Sequence, residues 1–329
     1  MPPREGQLGF LYLPPFRVQG ISVAGEQTVI QVPELDICFD MGQCTRASLA
    51  AQIVALSHAH MDHLGGLPYW FSQRQFQKIG TGRCVCHPRV AEPLRAMMRS
   101  WVDLELQRTP HEIEAMEPEQ EIEIKKNNIF LRAIETSHTS PSLAFAVIER
   151  RSKLKDEFRD FPQEQLRELK SRGVELTRTV EIPLVAYTGD TEPGPYLFRE
   201  EFVSAKVVIS ECTFFEADHR SRAKIGKHLH INDVASLLRV WKAESVVLVH
   251  VSRRTAIPFA RECIAAIDDG AQASRVHLLM DHRSNRQRYD RQVADAGGAA
   301  ENVGNAAAER THAIEAGIDD NIENRGLSG

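Results

Sequence analysis

The stretch Ser57-His58-Ala59-His60-Met61-Asp62-His63-Leu64-Gly65-Gly66 places three imidazoles and a carboxylate within six residues. That donor set suits a divalent transition metal, Zn²⁺ first, with Mn²⁺ and Fe²⁺ compatible with the same ligand types. The apolar run Ile53-Val54-Ala55-Leu56 ahead of it reads as a buried strand, and Gly65-Gly66 as a tight turn where a helix can begin. In an extended segment His58 and His60 point the same way, whereas Asp62 and His63 leave from the turn and can aim at a second point. One segment can therefore serve two ions. Such a pair would make hydroxide available near neutral pH for attack on phosphorus or a carbonyl carbon.

Further polar residues follow short apolar runs in the same manner. Ile129–Ile134 leads to Thr136-Ser137-His138-Thr139, and Leu143–Ile148 follows as another strand. Leu184–Thr188 ends in Gly189-Asp190-Thr191, and Ala205–Phe214 carries Ser210-Glu211-Cys212-Thr213. Lys227-His228-Leu229-His230 precedes a helix expected from Asp233 to Lys242, capped by Asn232 or Asp233. Val246–Val249 then runs into His250-Val251-Ser252-Arg253. Polar groups at successive strand ends would share one rim.

The elements that must hold that rim are legible in outline. Leu8–Phe39 reads as a meander of short strands. Leu67–Lys78 has helical spacing, with Arg74 in reach of the rim, and Pro88–Leu106 is a longer helix. Cys84-Val85-Cys86 beside His87 reads as a strand, not a metal pair, and His111 as a solvated residue in an acidic loop over Glu112–Glu121. Arg150–Arg178 is highly charged and helical in propensity from about Pro162 to Ser171, so it reads as an insertion. From Arg283 periodicity is lost, which divides the chain into a domain over 1–282, with the insertion at about 150–180, and a disordered or weakly helical tail over 283–329.

The formal net charge of −5 argues against whole-surface nucleic-acid binding and leaves local basic patches as the only route to RNA. No run approaches a membrane span or a signal-peptide core, and six scattered cysteines are too few for a disulfide scaffold, so a cytoplasmic, reduced protein is expected.

His58-x-His60-x-Asp62-His63 followed by Gly-Gly-Leu-Pro resembles the signature of the metallo-β-lactamase superfamily, whose fold is a four-layer αββα sandwich of α+β class. Within it the segments look most like ribonuclease Z, the endonuclease that trims precursor tRNA 3′ ends. The resemblance implies His58, His60 and His138 on a first metal, Asp62, His63 and His250 on a second, and Asp190 bridging both. Asp40 would support the histidine loop from behind. Ser210-Glu211-Cys212-Thr213-Phe214 resembles His-Glu-Ala-Thr-Phe, with serine in place of its histidine. The Gly-His-Ser-Thr segment that opens a helix is matched by His230, with His228 as rival. Asp62 would orient or deprotonate water, and Glu211 with His230 would form a general acid for the leaving oxygen. Arg74, Arg253 and Arg254 would meet the substrate phosphate, the insertion would stand where the tRNA-gripping arm stands, and a homodimer is expected. The alternative is a small-molecule hydrolase of the same fold, acting on a cyclic phosphodiester, thioester or lactone. A metal-bearing scaffold without turnover is disfavoured by seven intact ligand positions.

Overall fold

The computed structural model describes residues 8–126, 128–267 and 270–296. Strands β1 (Gly9–Leu13), β2 (Phe16–Ala24), β3 (Gln27–Val32), β4 (Ile37–Phe39), β5 (Ile53–Leu56), β6 (Gly82–Cys86) and β7 (His111–Ala115) lie side by side in that order. The second sheet begins with β8 (Glu121–Lys125), β9 (Ile129–Thr136), β10 (Ser142–Leu154), β11 (Thr177–Tyr187), β12 (Val207–Glu211) and β13 (Ser245–Val249). The short β14 (Val251–Ser252) crosses back to pair with β2, and β15 (Val276–Leu278) closes the second sheet beside β13.

Alternation along each strand builds the layers. In β10, Leu143, Phe145 and Val147 enter the core between the sheets, while Ala144, Ala146 and Ile148 face the outer helices. In β5, Ile53 and Ala55 point inward, whereas Val54 and Leu56 point outward. Helices α1 (Met61–Leu64), α2 (Leu67–Phe76) and α3 (Pro88–Glu105) belong to the first half; apolar residues of α2 and α3 join the outward residues of the first sheet in one cluster. Cys84 and Cys86 lie in that cluster, buried and remote from metal chemistry. On the second sheet's side come α4 (Gln163–Ser171), α5 (Glu200–Val203), α6 (Arg220–Gly226), α7 (Ile231–Leu238), α8 (Ile257–Ala265) and α9 (Gly270–Ser274). Residues of α5, α7 and α8 cover the outer face of the second sheet. The result is an αββα sandwich, as the sequence implies.

Three local expectations need correction. Arg74 is fully buried: its guanidinium donates to the carbonyls of Leu49, Ala51, Ile79 and Gly80 and to Gln52 Oε1, so no donor is left for a substrate phosphate. It ties α2 to the start of β5, because a buried guanidinium must satisfy all its donors. His111 starts a strand and its Nδ1–H donates to the Thr109 carbonyl at 2.7 Å, because β7 pairs with β6 and draws it off the surface loop. The charged insertion is a ribbon as much as a helix. β10 and β11 pair from Phe145–Tyr187 to Leu154–Thr177, and α4 sits at the tip.

The chain divides into units over 1–282 and 283–329. In the tail expected from Arg283 to be disordered or weakly helical, residues 283–296 are helical, and 297–329 lie outside the described residues. Among the described residues no helix is long and apolar enough to cross a membrane.

Candidate metal centre

Parallel strands deliver the polar groups to one edge. β4, β5 and β6 are parallel neighbours in the first sheet, and β11, β12, β13 and β15 in the second, so their carboxyl ends face the same way within each sheet. His58 and His60 follow β5, Asp62 and His63 lie in α1, and His138 sits in the β9–β10 turn. Asp190 follows β11, Glu211 ends β12 and His250 follows β13. Two backbone features allow the sheets to meet here. Gly189 has φ +57, and a Cβ on it would stand 2.7 Å from the Ser57 Cβ. His250 itself holds φ 58, a left-handed conformation uncommon for histidine and held by its Ser22 hydrogen bond at 2.8 Å.

Among the described residues five trios have donor atoms mutually within 4.8 Å, and two of them are the expected sets: His58, His60 and His138, and Asp62, His63 and His250. Asp190 lies between them, with its Oδ2 3.2 Å from both His63 Nε2 and His250 Nε2 and 3.8 Å from His58 Nε2.

Hydrogen-bond bookkeeping fixes which ring nitrogens are bare. Asp40 Oδ2 accepts from Tyr187 Oη at 2.6 Å, from Ser57 Oγ at 2.9 Å and from His63 Nδ1–H at 2.8 Å. Ser57 has thereby used its proton, so it accepts from His58 Nδ1–H at 3.0 Å. His138 Nδ1–H donates to the Lys227 carbonyl at 3.1 Å. Thr213 Oγ1 donates to Glu211 Oε2 at 2.7 Å and accepts from His250 Nδ1–H at 2.9 Å. Four imidazoles thus turn their protons outward and their Nε2 lone pairs inward. His58 and His138 Nε2 stand 3.0 and 3.3 Å from His60 Nδ1, and His63 Nε2 stands 3.3 Å from His250 Nε2. Converging lone pairs repel unless a cation lies among them, and the buried Asp190 Oδ1 has no hydrogen-bond partner among the described residues. The donor set therefore fits two divalent ions, with Asp190 facing both.

Electrostatics agree. Burial first, then neighbouring imidazoles, hold His58 well below the usual histidine range, and burial also lowers His60 and His138, so all three offer neutral rings. Burial opposes charge on Asp190, yet His250 and His63 outweigh it and keep the carboxyl ionised. Burial would also lower His63, but the charges of Asp190 and Asp40 raise it well above the ordinary value. A field that attracts a proton there attracts a cation, so metal uptake competes with protons.

His230 is not brought to Glu211. It caps α7: Nδ1 accepts from the Asn232 N–H at 3.2 Å, Nε2–H donates to the Glu216 carbonyl at 3.1 Å, and its own N–H donates to Asp233 Oδ2 at 2.9 Å. Both ring nitrogens are occupied, so no proton remains for a leaving group. His228 instead donates Nδ1–H to Glu211 Oε1 at 3.1 Å and lies 3.9 Å from Asp190 Oδ2. Burial pulls this imidazole down, but the charge and hydrogen bond of Glu211 prevail and push it up to about 9. A signal for the correct register was present: the apolar spacing of α7 begins at Ile231, so the residue before it had to be the cap. Nothing in the sequence marked Tyr187 or Thr213 as supports. Arg253 is exposed and pairs with Glu26 at 3.2 Å, next to Gly25, whose N–H holds Asp62 Oδ2 at 2.9 Å; Arg254 is also exposed.

Residues 38–251 match the family model described as Beta-lactamase superfamily domain. The chain is 28% identical over 281 residues to tRNase Z TRZ2, chloroplastic, of Arabidopsis thaliana, covering 82% of this chain and 77% of that protein. It is 27% identical over 256 residues to tRNase Z TRZ1 of the same plant, covering 77% and 91%. Among solved structures, the metallo-beta-lactamase fold protein YhfI from Bacillus subtilis superposes with TM-score 0.53 at 16% identity, covering 82% of this chain and 95% of that one. The short form of human tRNase Z superposes with TM-score 0.52 at 17% identity, covering 84% and 96%. With the match spanning β4 to β14 and every strand end of the metal rim, this chain belongs to the beta-lactamase superfamily.

Proposed function

We propose that this chain is a dinuclear metal-dependent endoribonuclease that cleaves precursor tRNA near its 3′ end. The observation that carries the reading is the Glu211–His228 pair at 3.1 Å beside the metal ligands. Phosphodiester cleavage must protonate a poor leaving oxygen, and this pair is a proton donor held by a carboxylate. The relatives named tRNase Z support the substrate class.

His58, His60 and His138 would hold one ion, Asp62, His63 and His250 the other, and Asp190 both; Zn²⁺ suits such an imidazole-rich set. When bound, the ions supply Lewis-acid polarisation of the phosphate and lower the pKa of water. Asp62, fixed by Gly25 N–H and facing His250, would accept the proton of an attacking water. His228 delivers a proton from Nε2 to the leaving oxygen while Glu211 stabilises the imidazolium. Thr213 links Glu211 to His250, so the acid and one metal ligand are oriented by a single carboxylate.

A small-molecule hydrolase is the second reading, favoured by the ribbon's arginines, since Arg151, Arg159 and Arg178 all pair with local acids. Incubating Zn²⁺- and Mn²⁺-loaded protein with precursor tRNA and with bis(p-nitrophenyl) phosphate separates the two. Efficient turnover of the RNA supports the first; turnover confined to the small diester establishes the second.

A further inference from the structure

A cluster of positive charge without a carboxylate partner lies on the element that leads into His228. Several arginines of the second sheet and the base of its ribbon are neutralised: Arg132 and Arg150 meet Glu121 and Glu181, and Arg199 meets Glu119 and Glu201. On α6, by contrast, Arg220, Arg222 and Lys224 are exposed and have no carboxylate partner among the described residues. The polar partner of Arg222 is His219 Nε2, at 3.1 Å. The nearby acid Glu216 is turned toward Thr255 and His219, which leaves Asp218 as the one exposed acid at the start of this segment. Arg220 and Lys224, four residues apart, share a face, and Arg222 lies on the other side of the buried Ala223. Cations therefore flank the outward surface of the helix, where Ile225 is also exposed.

The placement of α6 is what gives this charge meaning. Seven residues make a helix about 10 Å long. Its end is tied directly into the metal rim: His228 N–H donates to the Ala223 carbonyl at 2.9 Å, and the Lys227 carbonyl receives the proton of His138 Nδ1 at 3.1 Å. The helix thus ends at Gly226 with only Lys227 between it and the proton donor His228. Three separated cations on an open surface suit a chain of phosphates and not a single enclosed anion. In a chain of net charge −5, a local positive element beside the site is where a polyanion can approach.

We propose that α6 is the docking surface for the phosphate backbone of RNA next to the scissile bond, a proposal that rests on the endoribonuclease reading. The test compares the full chain with the triple variant Arg220→Ala/Arg222→Ala/Lys224→Ala, using precursor tRNA and bis(p-nitrophenyl) phosphate. The KM for precursor tRNA should rise by about tenfold or more, and the slope of log affinity against log salt should fall by about 3, near 1 per lost contact. Turnover of the small diester should stay within about twofold, because remote contacts serve only the large substrate. Arg220→Lys/Arg222→Lys keeps the charge and should retain binding, which separates charge from any folding defect. If wild type cleaves precursor tRNA and the triple variant matches it in KM and salt slope, the inference fails while the endoribonuclease reading stands. If wild type neither binds nor cleaves precursor tRNA, both fail. If polyglutamate binding depends on these cations while RNA binding does not, the helix serves an acidic protein and the proposal is overturned.

Discussion

The metal rim and the β10–β11 ribbon are both dense in charge, yet they handle it in opposite ways. At the rim key ionisable groups are held by partners distant in sequence: Asp40 by Tyr187 across 147 residues, His138 by the Lys227 carbonyl across 89. On the ribbon the pairs are local and exposed, as in Arg159 with Asp156 three residues before it. A buried charge persists only if the fold satisfies it from several sides, whereas an exposed one needs nothing beyond water. The rim therefore stores the fold's specificity, and the ribbon can vary with little consequence.

The sharpest way to break this contrast is to remove the carboxylate that faces both trios. Asp190→Ala should abolish turnover, beyond the roughly 10- to 100-fold loss of a supporting residue, and elemental analysis should find both ions lost together. Retention of one full equivalent would mean that Asp190 belongs to a single site.

Next comes the proton donor. His228→Ala should lower turnover of a substrate with a poor leaving group by about 10² to 10⁴ with metal content unchanged. His230→Ala should instead weaken the α7 cap by about 1 kcal/mol, read as a lower melting temperature with near-normal turnover. Reversed effects would return the acid role to His230.

Behind the ligands, Tyr187→Phe deletes one of the three donors to Asp40 Oδ2 while keeping the ring in the core. Metal affinity should fall by about tenfold and global stability little, as measured by chelator competition and thermal melting. Unchanged affinity would show that Ser57 and His63 alone suffice to hold Asp40.

The smallest effects separate buried from exposed ion pairs. Burial opposes the charge of Glu201, but hydrogen bonds from Arg199 and Arg132 outweigh it and hold its pKa at about 2, below the ordinary 4.5. A carboxyl lowered on folding stabilises above its unfolded pKa and loses that contribution as pH falls from about 4.5 through 2. Glu201→Gln should therefore cost about 1–2 kcal/mol at pH 7, after discounting for the half-exposed arginines, and the gap from wild type should close near pH 2. Asp156→Asn on the ribbon should change stability by less than about 0.5 kcal/mol at any pH. An equal loss at both positions would erase the distinction between buried and exposed ion pairs.

What the sequence by itself determined is the placement of chemistry at strand ends. Short continuous apolar runs, closed by His58, His138, Asp190, Glu211 and His250, are local signals, because a buried strand and its polar stop lie within a few residues of each other. The sandwich class followed from the resemblance of the His-x-His-x-Asp-His motif. Tertiary structure decided what each side chain faces. Arg74 has the spacing of a rim residue, but packing turns it inward onto the carbonyls of Leu49 and Ala51. His228 and His230 are two residues apart and chemically identical, yet one meets Glu211 and the other a carbonyl, because the first turn of α7 must be capped. The protonated nitrogen of each ring was likewise settled by Asp40, Thr213, Ser57 and the Lys227 carbonyl, of which Ser57 alone adjoins its ring in sequence. A hydrogen bond's direction depends on where its partner's own proton has gone, and only the assembled network of both sheets determines that.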